Sequence, residues 1–209
     1  TNNFQKNNGL SYVANAGFIL EVDYGAANLA HNGLRFDYNG DGLFNSTDVH
    51  IARSTGVFWR SGNDAFGGNE IAMSLDYIAT GDGQTQTLML SESVQAQFYT
   101  SFRTADIAFG IINPITPLTA QNDNPSLAIP GLILRRPSNT SMKPWDAINS
   151  DFNALPGTTS RPSSKHAQQF NASYCDGRAV TLSERINEAV YSRMLTSNGQ
   201  RFKQRIDVD

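Results

Sequence analysis

The chain has 209 residues, enough to bury one sizeable core or two small ones. With 16 basic against 19 acidic residues, a formal net charge of −3 gives no electrostatic reason to bind nucleic acid or an anionic membrane. Cys175 is the only cysteine, which excludes a disulfide within the chain, and no apolar run reaches the roughly 18 residues of a membrane span. Only 17% of residues are charged, so Asn, Ser, Thr, Gly and Gln supply much of the surface, as is common in secreted bacterial proteins. No signal peptide is visible. The opening TNNFQKNNG reads like the middle of a protein, and a processed or truncated N-terminus is expected.

In chain order, SYVANAG and FILEVDY (11–24) read as strands. STDVHIARSTG (46–56) can start a short helix at Ser46 and end it at Gly56. GVFWR (56–60) reads as a strand, and IAMSLDYIA (71–79) spaces Ile71, Leu75 and Ile78 as a helix does. Asp82-Gly83 marks a turn before a long strand-like run, TLMLSESVQAQFY (87–99). All eight prolines lie between Pro114 and Pro162. Residues 113–162 are therefore expected to form an extended excursion, with at most a short strand at 132–135 and one helical turn at 145–148. Two further strand-like runs flank Asp176-Gly177, a hairpin signal because both turn residues tolerate positive φ. Thr181 and Glu184 resemble a capping box. Leu182, Ile186, Val190 and Met194 would then form one helical face, with Gly199 placed to end the helix. The expectation is a single α+β domain spanning 1–209, mainly antiparallel sheet, with a short C-terminal helix and long Pro-rich loops.

DYNGDGLFNSTD is the most chemically specific run. It sets Asp37, Asn39, Asp41, Asn45 and Asp48 at positions 1, 3, 5, 9 and 12, with Gly42 at position 6. A hard divalent cation needs several converging oxygens. Three would come from Asp37, Asn39 and Asp41, and a fourth from the Leu43 carbonyl. Asn45 would act directly or through water, and Asp48 would close the site. The run resembles the calcium loop of dockerin modules, for one loop-helix half only. It implies a bound calcium ion that ties down a loop; the competing reading is an Asx-rich surface turn without an ion.

The C-terminal region carries a second resemblance. His166 is followed by nine residues and then Asp176-Gly177. This His-x9-Asp-Gly pattern resembles the signature of a large bacterial prepilin-like family, similar to the major pseudopilins of type II secretion-like systems. LSYVANAG (10–17), GDGQTQTLMLSE (81–92) and AVYSRMLTSNG (189–199) resemble further segments of that family, in the same order, and GVFW (56–59) matches a short strand. The resemblance implies a pilin-like globular head, with the family's prepilin cleavage site and long N-terminal helix absent from this chain. The loop at 37–48 would be an insertion.

Straight strand geometry would put His166 and Asp176 roughly 30 Å apart, too far for a catalytic dyad. Asp176 and Gly177 are read as making the turn. His166 is read as fixing the strand entry through a hydrogen bond to a nearby backbone group or carboxylate. No nucleophile elbow, Walker loop, dinucleotide glycine pattern or zinc-protease motif occurs, and His31, His50 and His166 are too scattered for a zinc site. The chain is therefore not expected to be an enzyme. Asn45, Asn139 and Asn171 begin formal glycosylation sequons. Cys175 is read as a small buried thiol or as a partner for a cysteine outside the chain.

Two functions follow. The first is a structural subunit of a pilin-like or pseudopilus filament in the bacterial envelope, periplasmic or on the cell surface. Its partners would be copies of itself, other pilin-like subunits and secretion machinery, and it would meet the membrane only through the absent N-terminal helix. The second is a secreted calcium-dependent module that binds carbohydrate or protein, with Trp59 and Trp145 as stacking aromatics.

Overall fold

The computed structural model describes residues 9–20, 45–59, 71–101, 104–113, 133–134, 148–149, 152, 161–202 and 205–206. The chain folds as α+β, with a five-stranded mixed sheet and a few short helices. Its strands are β1 (Tyr12–Leu20), β2 (Leu88–Glu92), β3 (Ala108–Asn113), β5 (Gln169–Tyr174) and β6 (Ala179–Ser183), in the order β3-β1-β2-β5-β6. β1 and β3 run parallel, and the other three pairings are antiparallel. β4 (Ile133–Leu134) pairs in parallel with β7 (Arg205–Ile206) as a separate two-stranded sheet.

The four α-helices among the described residues are short: α1 (Ser46–Ser54), α2 (Leu75–Thr80), α3 (Thr104–Ile107) and α4 (Glu188–Leu195). Asn45 caps α1, since its Oδ1 accepts the Thr47 N–H at 2.8 Å. Ser74 caps α2 in the same manner, accepting from the Tyr77 N–H at 3.1 Å. A 3-10 turn, Gly199–Phe202, follows α4.

β1 reads with period two. Val13, Asn15 and Gly17 point inward and are buried, while Tyr12 is exposed. The main core gathers Val13, Leu88, Phe109, Phe170, Ala172 and Tyr174 from the sheet with Tyr191 and Leu195 from α4. A smaller cluster joins Val57, Ile78 and Cys175. Burial of such side chains drives the fold at about 25 cal/mol per Å² of apolar surface.

Several expectations need correction. GVFWR is not a strand over its described part. Residues 56–59 form an extended strap whose Val57 and Phe58 N–H groups both donate to the Asn15 carbonyl, at 3.2 and 2.9 Å. The run from 87 stops as a strand at Glu92, because the Ser93 side chain accepts the Gln95 N–H at 3.3 Å and folds the chain into a local turn. The capping box is absent: Thr181 lies within β6, and its hydroxyl donates to Asn171 Oδ1 at 2.8 Å. Glu184 instead accepts the Asn149 side-chain amide at 3.0 Å. The last helix starts at Glu188, with the Asn187 side chain accepting the Val190 N–H at 3.3 Å. Leu182 and Ile186 precede that helix and Val190 is 49% exposed, so the apolar series is not a helical face. Tyr191 and Leu195, four apart, make the buried stripe instead.

Candidate functional site

The segments that carry the prepilin-like resemblance meet in space, in two polar clusters at opposite ends of β2. The first is built on Asn15, which has no solvent exposure. Its amide donates to the Leu88 carbonyl at 2.7 Å and to the Leu195 carbonyl at 2.8 Å. Its Oδ1 accepts the Gly17 N–H at 2.8 Å. This local ring fits the register shift between Asn15 and Phe18 in the β1–β3 pairing, where Gly17 takes φ of 65°. The bulge turns the chain so that Gly17 and Gly56 cross backbone to backbone. A Cβ on Gly56 would lie 2.6 Å from the Gly17 nitrogen, and one on Gly17 would run into the Thr55 carbonyl.

Asp82 completes this cluster. Its Oδ2 accepts from the Thr196 hydroxyl at 2.6 Å and from the Gly199 N–H at 2.8 Å, and its Oδ1 from the Gln200 N–H at 3.3 Å. The Asp82 N–H donates to the Ser197 carbonyl at 3.0 Å. Ser197 and Asn198 donate their N–H groups to the Ser54 carbonyl at 2.9 and 3.2 Å, at the end of α1. The buried Thr87 hydroxyl bridges the Gly83 and Thr196 carbonyls, 3.0 Å from each. Gly81, Asp82 and Gly83 thus grip residues 196–200, and almost every bond in the cluster ends on backbone.

The second cluster is built on Glu92. Its Oε2 accepts the Asn171 N–H at 2.8 Å, and its Oε1 the Asn171 side-chain amide at 3.1 Å. His166 Nε2 lies 3.3 Å from Oε1. Asn171 Nδ2 is 3.4 Å from that same ring nitrogen, while the Thr181 hydroxyl ties Asn171 Oδ1 to β6. The bend before β5 falls at Gln168, with φ of 58°. Ser164 and Asn149 brace it: Ser164 Oγ accepts the His166 N–H at 2.9 Å and donates to the Gln169 carbonyl at 2.7 Å, and the Ser164 N–H donates to Asn149 Oδ1 at 2.7 Å. His166 thus stands at the strand entry beside a carboxylate, with its side chain 59% exposed and that of Glu92 only 16%.

Asp176 and Gly177 occupy the β5–β6 turn. Gly177 has φ of 86°, and Asp176 Oδ1 accepts the Arg178 N–H at 2.9 Å. They lie beyond the Thr87 end of β2, where the Cys175 N–H donates to the Thr87 carbonyl at 2.9 Å. His166 stands at the Glu92 end, so the two signature positions are separated by the length of that strand. Cys175 is buried, and burial, with a smaller contribution from the Asp176 carboxylate, pushes its thiol up from 9.0 to about 11. The Arg178 guanidinium stacks 4.5 Å from the Tyr174 ring centroid.

Of the proposed calcium ligands, Asp37, Asn39, Asp41 and Leu43 lie outside the described residues, as does Trp145. Asn45 and Asp48 are placed at the cap and in the first turn of α1, the position a loop-helix cation site requires of its ninth and twelfth residues. The Asn45 oxygen accepts one N–H, that of Thr47. Among the described residues no group of three His, Cys, Asp or Glu side chains converges as a metal site, and no helix is long and apolar enough to cross a membrane. Neither Asn15 nor Asp82 nor Glu92 stood out individually as a site residue in the sequence. Each lies within a resembling segment, and that was the available signal. No protein-family model, curated protein or solved structure matches the chain.

Proposed function

We propose that the chain is the globular head of a pilin-like or pseudopilus subunit of the bacterial envelope. Its task is assembly and presentation, and it holds calcium in the loop Asp37, Asn39, Asp41, Leu43, Asn45 and Asp48. One observation carries the reading. Asn15, Asp82 and Glu92, which lie within the resembling segments, spend their hydrogen bonds largely on backbone groups of distant segments. Such an arrangement resists distortion, which a subunit under load in a filament needs, and it leaves the signature residues apart from one another. The bound ion would add a further tie between the chain before α1 and the first helix. Calcium, other copies of the chain and related pilin-like subunits are the ligands and partners of this reading.

Electron microscopy of the native assembly, labelled with an antibody to this head, tests it. Labelled filaments or short pseudopili are expected. Label found only on dispersed soluble particles would overturn the reading, as would an upstream coding sequence without a prepilin peptidase site and a long apolar helix.

A further inference from the structure

Asn198-Gly199 is an Asn-Gly pair, the type of dipeptide most prone to spontaneous deamidation, because glycine offers no side chain to hinder its own nitrogen. In that reaction the Gly199 backbone nitrogen attacks the Asn198 side-chain carbonyl carbon. A carbon–nitrogen bond forms to close a succinimide, the Cγ–Nδ2 bond breaks, and ammonia leaves with the proton that the Gly199 nitrogen gave up through solvent. Water then opens the ring to aspartate or isoaspartate. The attack needs a Gly199 nitrogen that can shed its proton and swing towards Cγ.

The fold blocks both requirements. The Gly199 N–H is held by the Asp82 carboxylate at 2.8 Å, and a negative acceptor there opposes loss of the proton. The peptide on either side is pinned, by Gln200 N–H to Asp82 at 3.3 Å and by Asn198 N–H to Ser54 at 3.2 Å. Asn198 is 7% exposed, and its side chain packs so closely on Gly81 that a Cβ there would approach Asn198 Cβ and Cγ to 2.8 and 2.9 Å. The new carboxylate would belong to the buried residue just before Gly199, whose N–H the Asp82 carboxylate holds, and two neighbouring like charges repel. The isoaspartate product also adds a backbone atom between Ser197 and Gly199, breaking the register of their locks.

We propose that Asn198 is a guarded modification site. The Asp82 clasp suppresses its deamidation in the folded chain, and a single opening that lets the reaction finish loosens the clasp irreversibly. The inference is independent of filament assembly.

Trypsin releases residues 194–201 between Arg193 and Arg201, so mass spectrometry of that peptide reads the conversion directly. Folded wild-type protein and the same protein in urea are incubated side by side in mildly alkaline buffer. The folded protein is expected to convert at least about tenfold more slowly, since the reaction must wait for local opening. The Asp82→Ala variant, held below its melting temperature, should convert faster than folded wild type. Thr196→Val, which removes one donor from Asp82, should fall between them and serves if Asp82→Ala does not fold. Equal rates in folded and denatured wild type would overturn the proposal, as would guarding of Gly199 undiminished in both variants. Asn198→Asp should melt at a lower temperature than Asn198→Gln; the reverse order would overturn the irreversible loosening.

Discussion

The Asn15 side-chain amide donates to the carbonyl of Leu195, 180 positions further along the chain, at 2.8 Å. The same amide holds Leu88 of the neighbouring strand. One buried side chain thus joins β1, β2 and the end of α4. Asn15→Leu removes the side-chain donor from two carbonyls in a buried setting, at about 1–3 kcal/mol each. Thermal or urea unfolding should show a loss of several kcal/mol. A loss below about 1 kcal/mol would mean that water replaces the amide.

The glycines separate two kinds of constraint. Gly17 combines φ of 65° with the Thr55 carbonyl against its Cα, and Gly56 meets the Gly17 backbone. Alanine at either should cost on the order of 3 kcal/mol or more, because backbone must move. Gly177 and Gly83 also have positive φ, but a Cβ there meets open space. Alanine at those two should cost only about 1–2 kcal/mol, the strain of the conformation itself. Unfolding curves of the four variants check the ranking.

Glu92 and His166 are unequal partners. Glu92 satisfies the Asn171 N–H and amide as well as the imidazole. Glu92→Ala is expected to cost about 1–3 kcal/mol, whereas His166→Ala, on an exposed side chain, should cost less than about 1 kcal/mol. A double-mutant cycle between them should give a coupling below about 1 kcal/mol. A larger coupling would make the imidazole the anchor.

Alkaline stability should carry a signature of Cys175. Its folded-state value of about 11 lies above the ordinary 9.0 because burial disfavours the thiolate. The unfolded chain therefore loses its thiol proton first. The stabilisation is present in full below pH 9.0 and is lost as pH rises towards about 11. Unfolding measured across that window should show wild type declining more steeply than Cys175→Ala. Thiol alkylation of the folded protein should be slow below the window.

The sequence made local chemistry legible and long-range chemistry obscure. Asp176-Gly177 announces its hairpin, and the STDVHIARSTG run from Ser46 announces α1, because turn and cap residues act on neighbours two or three positions away. Leu182 and Ile186 misled because apolar residues four apart look helical whether they sit on a helix or straddle a strand end. Asn15 was unreadable as an interior residue: a polar side chain in an apolar run is ordinarily solvated, and its partners are 73 and 180 positions distant. Asp82 showed as a turn residue, but nothing local marks the five-residue segment that it holds.

Calcium should stabilise the protein. If the ion occupies the loop from Asp37 to Asp48, adding calcium after chelation should raise the melting temperature by several degrees, and Asp41→Ala should abolish the rise. Magnesium at the same concentration should do less, since it keeps its water shell. Indifference of the wild type to both ions would remove calcium from the account.

The resembling segments are expected to lock distant parts of the chain together. Native-state hydrogen exchange tests this most directly, through the amides of Gly17, Asn171, Asn198 and Gly199, none of which relies on a regular ladder or helix alone. These amides should exchange as slowly as the core of β2 and β5, through global unfolding. Exchange at the rate of open loops, with β2 and β5 still protected, would contradict this expectation.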